Sequence, residues 1–253
     1  HRSPFRQKGS DSVALPRNRP ELFPRLHRAP RARTIPECLN RSPQTRVVLE
    51  RLNREYPQAK VSLDFKDPLQ LLVATILSAQ CTDVRVNHVT KTLFKHCKTA
   101  ADYAYGNRKT LEKLIHSTGF FHSKARHLQA SCRMIVERFG GEVPRTMHEI
   151  MELPGVARKT ANVVLGNAYG VQEGIPVDTH VGRLARRLGL TKHKDPNKVE
   201  LDLLRRVPPK ERLHFANLLI FHGRAVCQAK KPHCSACVLS KACPSYMKEK
   251  GSW

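Results

Sequence analysis

The chain is poor in acidic residues and carries no long apolar run. Asp and Glu number 21 against 45 Lys and Arg, which leaves a formal net charge of +24 and a pI near 10.2. An imbalance of that size favours a polyanionic partner, nucleic acid first and a membrane surface as the competitor. The most apolar stretch, Leu69 to Leu77, is interrupted by Gln70 and is far too short to span a bilayer, so no membrane segment is expected. No apolar core followed by a small-residue cleavage site stands near the start, so a soluble, unsecreted protein is expected. Period-two alternation and fixed-period repeats are missing too, which excludes a strand-built fold and a solenoid. The expected fold class is all-α. At 253 residues, the chain can bury one large core or two smaller ones.

Residues 1–42 hold Arg2, Arg6, Lys8, Arg17, Arg19, Arg25, Arg28, Arg31, Arg33 and Arg41 among several prolines, without apolar periodicity. This composition reads as a disordered basic tail, with three readings open: a nonspecific grip on phosphates, an Arg-rich transit peptide, or a solvated segment without function. Beyond it, helical signals follow one another. Val47, Val48, Leu49, Leu52 and Tyr56 recur at helical spacing. Asp67-Pro68 gives a cap and a first-turn proline for a helix through Leu71, Leu72, Val73, Ile76 and Leu77. Thr82 or Asp83 opens the next, a short helix ends at Ile115 before Gly119, and another runs through Ala125, Leu128, Ile135 and Phe139 to Gly140-Gly141. Phe120 and Phe121, at a loop-helix junction, read on their own as core aromatics. Farther on, Asp178 caps a helix through Leu184 to Leu188, and Asp195-Pro196 opens one with Val199, Leu201, Leu203 and Leu204. Leu213 to His222 forms the last.

The stretch Leu153-Pro154-Gly155-Val156-Ala157-Arg158-Lys159 joins two of these helices. Thr146 and Glu149 have capping-box spacing for the first, Gly155 supplies the turn, and the second runs from Ala157 to Ala168 and stops near Gly170. A glycine turn feeding a helix N-terminus aims backbone N–H groups outward and makes an anion site suited to phosphate. Lys159 falls in the first turn, where the positive end of the helix dipole disfavours an ammonium, so its amine is a candidate nucleophile.

Of eight cysteines, Cys81, Cys97 and Cys132 lie in or beside helical stretches and read as small buried hydrophobes in a reducing compartment; Cys38 stands alone. Cys227, Cys234, Cys237 and Cys243 instead form a C-x6-C-x2-C-x5-C group. Four thiolates at that spacing can hold a structural zinc or an iron-sulfur cluster, and spacing alone does not choose.

Taken together, the Leu153 to Lys159 turn, Val177-Asp178-Thr179-His180 and the four-cysteine group resemble the endonuclease III family of DNA glycosylases with abasic-site lyase activity. Ile76-Leu77-Ser78-Ala79-Gln80, Gly119 to Lys124 and Phe221-His222-Gly223-Arg224 extend the resemblance, which covers residues 43–248. It implies two helical domains flanking a DNA-binding groove. A six-helix barrel with the helix-hairpin-helix would occupy residues 62–172, and an iron-sulfur cluster domain residues 43–61 and 173–248. It also implies a 4Fe-4S cluster on Cys227, Cys234, Cys237 and Cys243. Lys159 would attack the sugar and Asp178 would assist; Gln80 and Phe120 would fill the gap left by an extruded nucleotide; Gly155, Ala157, Lys230 and Lys231 would contact DNA. Many relatives carry leucine at the Phe120 position and most carry glycine at the Ala157 position. The expected activity is removal of oxidised pyrimidines from duplex DNA and cleavage 3′ to the abasic site by β-elimination, carried out by a monomer. An adenine-mismatch glycosylase is the enzymatic alternative, although that class usually lacks the hairpin lysine; a noncatalytic DNA-binding module is the other. The expected location is cytoplasmic and nucleoid-associated in a bacterium, nuclear or mitochondrial in a eukaryote.

Overall fold

The computed structural model describes residues 43–249; the basic segment 1–42 and Cys38 lie outside them. Twelve α-helices and no strand occur among the described residues. They are α1 (Pro43–Glu55), α2 (Pro68–Leu77), α3 (Asp83–His96), α4 (Ala100–Tyr105), α5 (Arg108–Ile115), α6 (Phe121–Phe139), α7 (Met147–Glu152), α8 (Arg158–Tyr169), α9 (Thr179–Arg187), α10 (Pro196–Leu204), α11 (Arg212–Ala225) and α12 (Pro244–Glu249). No described helix is long and apolar enough to cross a membrane.

Short polar side chains set most of the helix starts. Asp67 Oδ1 accepts from the Gln70 amide at 2.8 Å, with Pro68 in the first turn of α2, and Thr82 caps α3. Thr99 and Asp102 form a reciprocal capping box at α4. At α7, Thr146 Oγ1 accepts from the Glu149 amide, but the returning Glu149 carboxylate takes the Thr146 hydroxyl at 2.7 Å rather than the backbone N–H of a full capping box. Gly140 and Gly170, both at positive φ, end α6 and α8.

Two hydrophobic cores result. The first gathers side chains of α2 to α8, among them Leu71, Leu77, Val86, Leu93, Tyr103, Ile115, Leu128, Ile135, Ile150 and Leu165. The second joins α1 to the later helices through Val48, Leu52, Leu184, Val199, Leu203, Phe215, Leu218 and Leu219. Within the first, α6 packs on α4 and α5, and α2 packs on α8; within the second, α11 packs on α9 and α1, and it also touches α8. Cys132 is buried, and burial pushes its thiol up to about 12, whereas Cys81 and Cys97 are only half-buried.

One later helix buries a charged residue. In α10, Val199, Glu200 and Leu203 are buried, while Leu201 is 53% exposed. Glu200 faces inward because it has polar partners there. Its carboxylate accepts from Arg158 Nε at 2.7 Å, Asn162 Nδ2 at 3.0 Å and the Ile175 amide at 3.1 Å. Arg158 and Asn162 belong to α8, so this buried carboxylate ties a helix of the first core to one of the second.

Candidate active site and cysteine cavity

The turn before α8 has the geometry of an anion cradle. Gly155 sits at φ +81°, and a Cβ there would meet the His127 side chain at 2.8 Å, so both backbone and space call for glycine. Ala157 is the residue before the first helical one, with φ −92° and ψ 167°, a conformation open to any residue; alanine is harmless at this position. It offers no side-chain acceptor, and no side chain caps α8. Ser131 Oγ, on α6, donates to the Pro154 carbonyl at 2.5 Å and anchors the turn to the first core.

Lys159, one residue into α8, is exposed and lines the same cavity as Asp178. Asp178 is the N-cap of α9; its Oδ1 accepts from the Val181 amide at 2.8 Å, which fixes the carboxylate without consuming its second oxygen. The cap and the cavity-lining position coexist in one residue. Ser78, Asp83 and Arg224 share the cavity walls with them. Arg224 pairs with Asp83 at 2.8 Å and reaches Ser62 Oγ at 3.3 Å, linking α11 to the start of α3 across the cavity.

His180 also lines this cavity. Burial holds its imidazole below the ordinary value; the Asp178 carboxylate opposes this, and the Arg183 and Arg224 charges reinforce it. Arg183 Nη2 lies 3.2 Å from His180 Nδ1. A guanidinium only donates, so this contact is a hydrogen bond where Nδ1 carries no proton. The same guanidinium donates to the Gly223 carbonyl at 3.0 Å and to the Cys227 carbonyl at 2.9 Å. His180 is thereby held beside Asp178.

Gln80 and Phe120 stand out on the backbone. Among the described residues they are the two non-glycine positions with positive φ, at 54° and 49°, and a left-handed conformation costs a side-chain-bearing residue about 1–2 kcal/mol. Gln80 is exposed and lines the cavity of Lys159; Phe120 is 68% exposed, not a core aromatic, while Phe121 beside it packs on the first core. Strain of this kind persists where the surroundings over-determine it, and it concentrates at functional sites.

Cys227, Cys234, Cys237 and Cys243 line one shared cavity, with Leu184, Leu188 and His222. Polar hydrogens surround the thiols: Arg187 Nη1 donates to Cys227 Sγ at 3.2 Å and the Leu239 amide to Cys237 Sγ at 3.4 Å, while His222 Nε2 lies 3.3 Å from Cys237 Sγ. Burial raises the Cys237 thiol, and the other three cysteines raise it further. No three His, Cys, Asp or Glu side chains among the described residues close tightly enough to clasp a single metal ion. Lys230 and Lys231 are exposed on the loop between Cys227 and Cys234, whose Gln228 and Ala229 carbonyls Arg187 holds at 2.8 and 3.0 Å. They do not line the Lys159 cavity.

A helical fold with this hairpin turn, a lysine and a carboxylate on one cavity wall, and a four-cysteine cavity beside it defines a class. Residues 73–209 match the family model of the HhH-GPD superfamily of base excision DNA repair proteins. The chain is 57% identical over 190 residues to the endonuclease III of Synechocystis sp., covering 75% of this chain and 87% of that one. It is 46% identical over 189 residues to that of Bacillus subtilis, covering 74% and 86%. A solved structure of a trapped endonuclease III–DNA covalent intermediate shares 42% identity with a TM-score of 0.78, covering 82% of this chain and 97% of that one. A thermostable thymine-DNA glycosylase shares 25% identity with a TM-score of 0.73, covering 81% and 97%. The chain belongs to the endonuclease III family. It is an enzyme of base excision repair, a DNA glycosylase with an associated lyase activity on abasic sites.

Proposed function

We propose that the chain removes oxidised pyrimidines from duplex DNA and cleaves the strand 3′ to the resulting abasic site through a Schiff base on Lys159. The observation that carries this reading is the convergence of Lys159, from α8, and Asp178, the cap of α9, on one cavity. The trapped covalent complex of a relative with DNA supports it.

The chemistry follows from the two groups. A base cannot be reached inside the stack, so the nucleotide is extruded, with exposed Gln80 and Phe120 entering the gap. Asp178 takes a proton from the Lys159 ammonium, and the freed amine attacks C1′. The C1′–N bond to the base breaks, and the base leaves with the bonding electrons and is then protonated. Ring opening gives an iminium between Nζ and C1′, which acidifies the C2′–H; loss of that proton expels the 3′ phosphate. Asp178 passes the proton taken from Lys159 to the departing base, and its carboxylate, fixed by the Val181 amide, then stabilises the positive charge left on the sugar without reorganising. The amides after Gly155 and Ala157 hold a flanking phosphate, and Lys230 and Lys231 add contacts from the cysteine loop.

A 4Fe-4S cluster fits the four-cysteine cavity, since the four cysteines line one shared space and the Cys227 and Cys237 sulfurs receive N–H donors. Bound there, it would fix the Cys227–Cys234 loop against α9 and take no part in base removal. We assign residues 62–172 to a barrel domain and residues 43–61 with 173–248 to a cluster domain, in a monomer that acts in solution on DNA.

Borohydride reduction in the presence of abasic duplex DNA should give a covalent complex, and duplexes bearing oxidised pyrimidines should give it after base release. Absence of any reducible adduct overturns the reading. Iron analysis should find four atoms per chain, against which stoichiometric zinc in anaerobically prepared protein would count.

A further inference from the structure

Gln80 and Phe120 lie 40 residues apart, on the loop after α2 and at the start of α6, yet share a left-handed backbone and exposure. One side chain reaches both loops. Lys124, in the first turn of α6, is only 4% exposed, and its Nζ donates at 2.8 Å to the Leu77 carbonyl and at 2.8 Å to the Thr118 carbonyl. Leu77 is the last residue of α2, three before Gln80; Thr118 ends a 3₁₀ turn, two before Phe120. Among the described residues no carboxylate pairs with this ammonium; it donates to two carbonyls at helix ends, where the dipole's negative pole favours a cation.

A buried, unpaired lysine is expensive, and a hydrophobic residue would fill the first core more cheaply. The ammonium does what no apolar side chain can: it bonds to two loop carbonyls from one point and fixes the spacing of the two loops. We infer that Lys124 is a positioning residue, a clamp that sets Gln80 and Phe120 at a common height so that they enter the duplex together when the nucleotide leaves it. This rests on the proposed role of Gln80 and Phe120 in filling the gap. The two hydrogen bonds of Lys124 go to the loops of Gln80 and Phe120, not to Lys159 or Asp178.

The test separates extrusion from chemistry. Full-length wild type, Lys124→Met and Lys124→Arg are assayed for borohydride trapping on an abasic site in duplex DNA and on the same site in a single strand, which needs no extrusion. Methionine fills similar volume without donors; arginine keeps the charge and donors. The clamp requires Lys124→Met to lose about tenfold or more in duplex trapping rate while staying within about threefold of wild type on the single strand, with Lys124→Arg recovering part of the duplex rate. In a Gln80→Ala, Phe120→Ala background, adding Lys124→Met should change duplex trapping by less than about twofold, since no tips remain to position. Equal losses on both substrates, as from a damaged fold, overturn the clamp, as does an unchanged duplex rate. Wild type that traps on neither substrate overturns instead the Schiff-base reading on which the inference rests.

Discussion

Replacing Glu200 by alanine tests whether a single buried carboxylate holds the two halves of the active site in register. Glu200 is 4% exposed and accepts from Arg158, the residue before Lys159, and from the Ile175 amide, three residues before Asp178. Gly174 packs so closely on Glu200 Oε1 and Asn162 Oδ1 that no Cβ would fit between them. Truncation leaves the buried Asn162 amide and the Ile175 N–H without their acceptor, at about 1–3 kcal/mol each. Arg158, whose side chain is 40% exposed, regains water and adds about 0.5 kcal/mol or less. Removing the buried carboxylate itself relieves some desolvation, so the expected net destabilisation is about 3 kcal/mol. With a urea slope of about 1–3 kcal/mol/M, the unfolding midpoint should fall by about 1–3 M. Glu200→Gln keeps one acceptor oxygen and should lose about half as much. The trapping rate on abasic duplex should fall with Glu200→Ala even where the protein remains folded, because α8 and the segment before α9 are no longer tied. A midpoint within about 0.3 M of wild type would refute the assignment of Glu200 as a tie between the cores.

Two further perturbations follow from local geometry. Gly155→Ala combines a positive φ with a collision against His127, so it should cost about 3 kcal/mol and weaken binding to abasic duplex; thermal unfolding and fluorescence anisotropy that match wild type would show that the turn tolerates a side chain. At α4, the Lys98 and Thr99 amides donate to Asp102 at 2.7 and 2.8 Å and hold its carboxyl below the ordinary 3.8. Its stabilisation is therefore present above that value and lost as pH falls through the lowered one. Asp102→Asn should cost about 0.5–1 kcal/mol at pH 7, and the gap in urea midpoint should close as pH falls below the ordinary 3.8 and through the lowered value; a gap that persists in strong acid would contradict the capping account.

The helix starts were legible because their signals are local. Asp67-Pro68, Thr82, Thr146, Asp178 and Asp195-Pro196 each cap within three residues of themselves, and Pro154-Gly155 marks a turn for steric reasons alone. Lys159 was legible as a candidate from its place in a helix's first turn and the four cysteines as a metal group from their spacing, while the part of Asp178 and the cluster type came from resemblance; the structure has Lys159 and Asp178 on one cavity and the cysteines on another. What escaped was long-range. Lys124 bonds to a carbonyl 47 residues away and Glu200 to an arginine 42 residues away, and no window on the sequence contains both partners. In α10, the sequence names Val199, Leu201, Leu203 and Leu204 without showing that Glu200 is buried beside Val199 and Leu203, because its polar partners lie on other elements. Phe120 misled in the same way: hydrophobicity argues for burial, and only its left-handed backbone shows that the ring is held outward.

The Lys159 amine is the proposed nucleophile toward the sugar. The most direct measurement is mass mapping of the peptide that carries the reduced DNA adduct after borohydride trapping on an abasic duplex. The sugar remnant should be found on Lys159, and the adduct should be lost in Lys159→Ala. A remnant on any other amine, or trapping that survives Lys159→Ala, would contradict it.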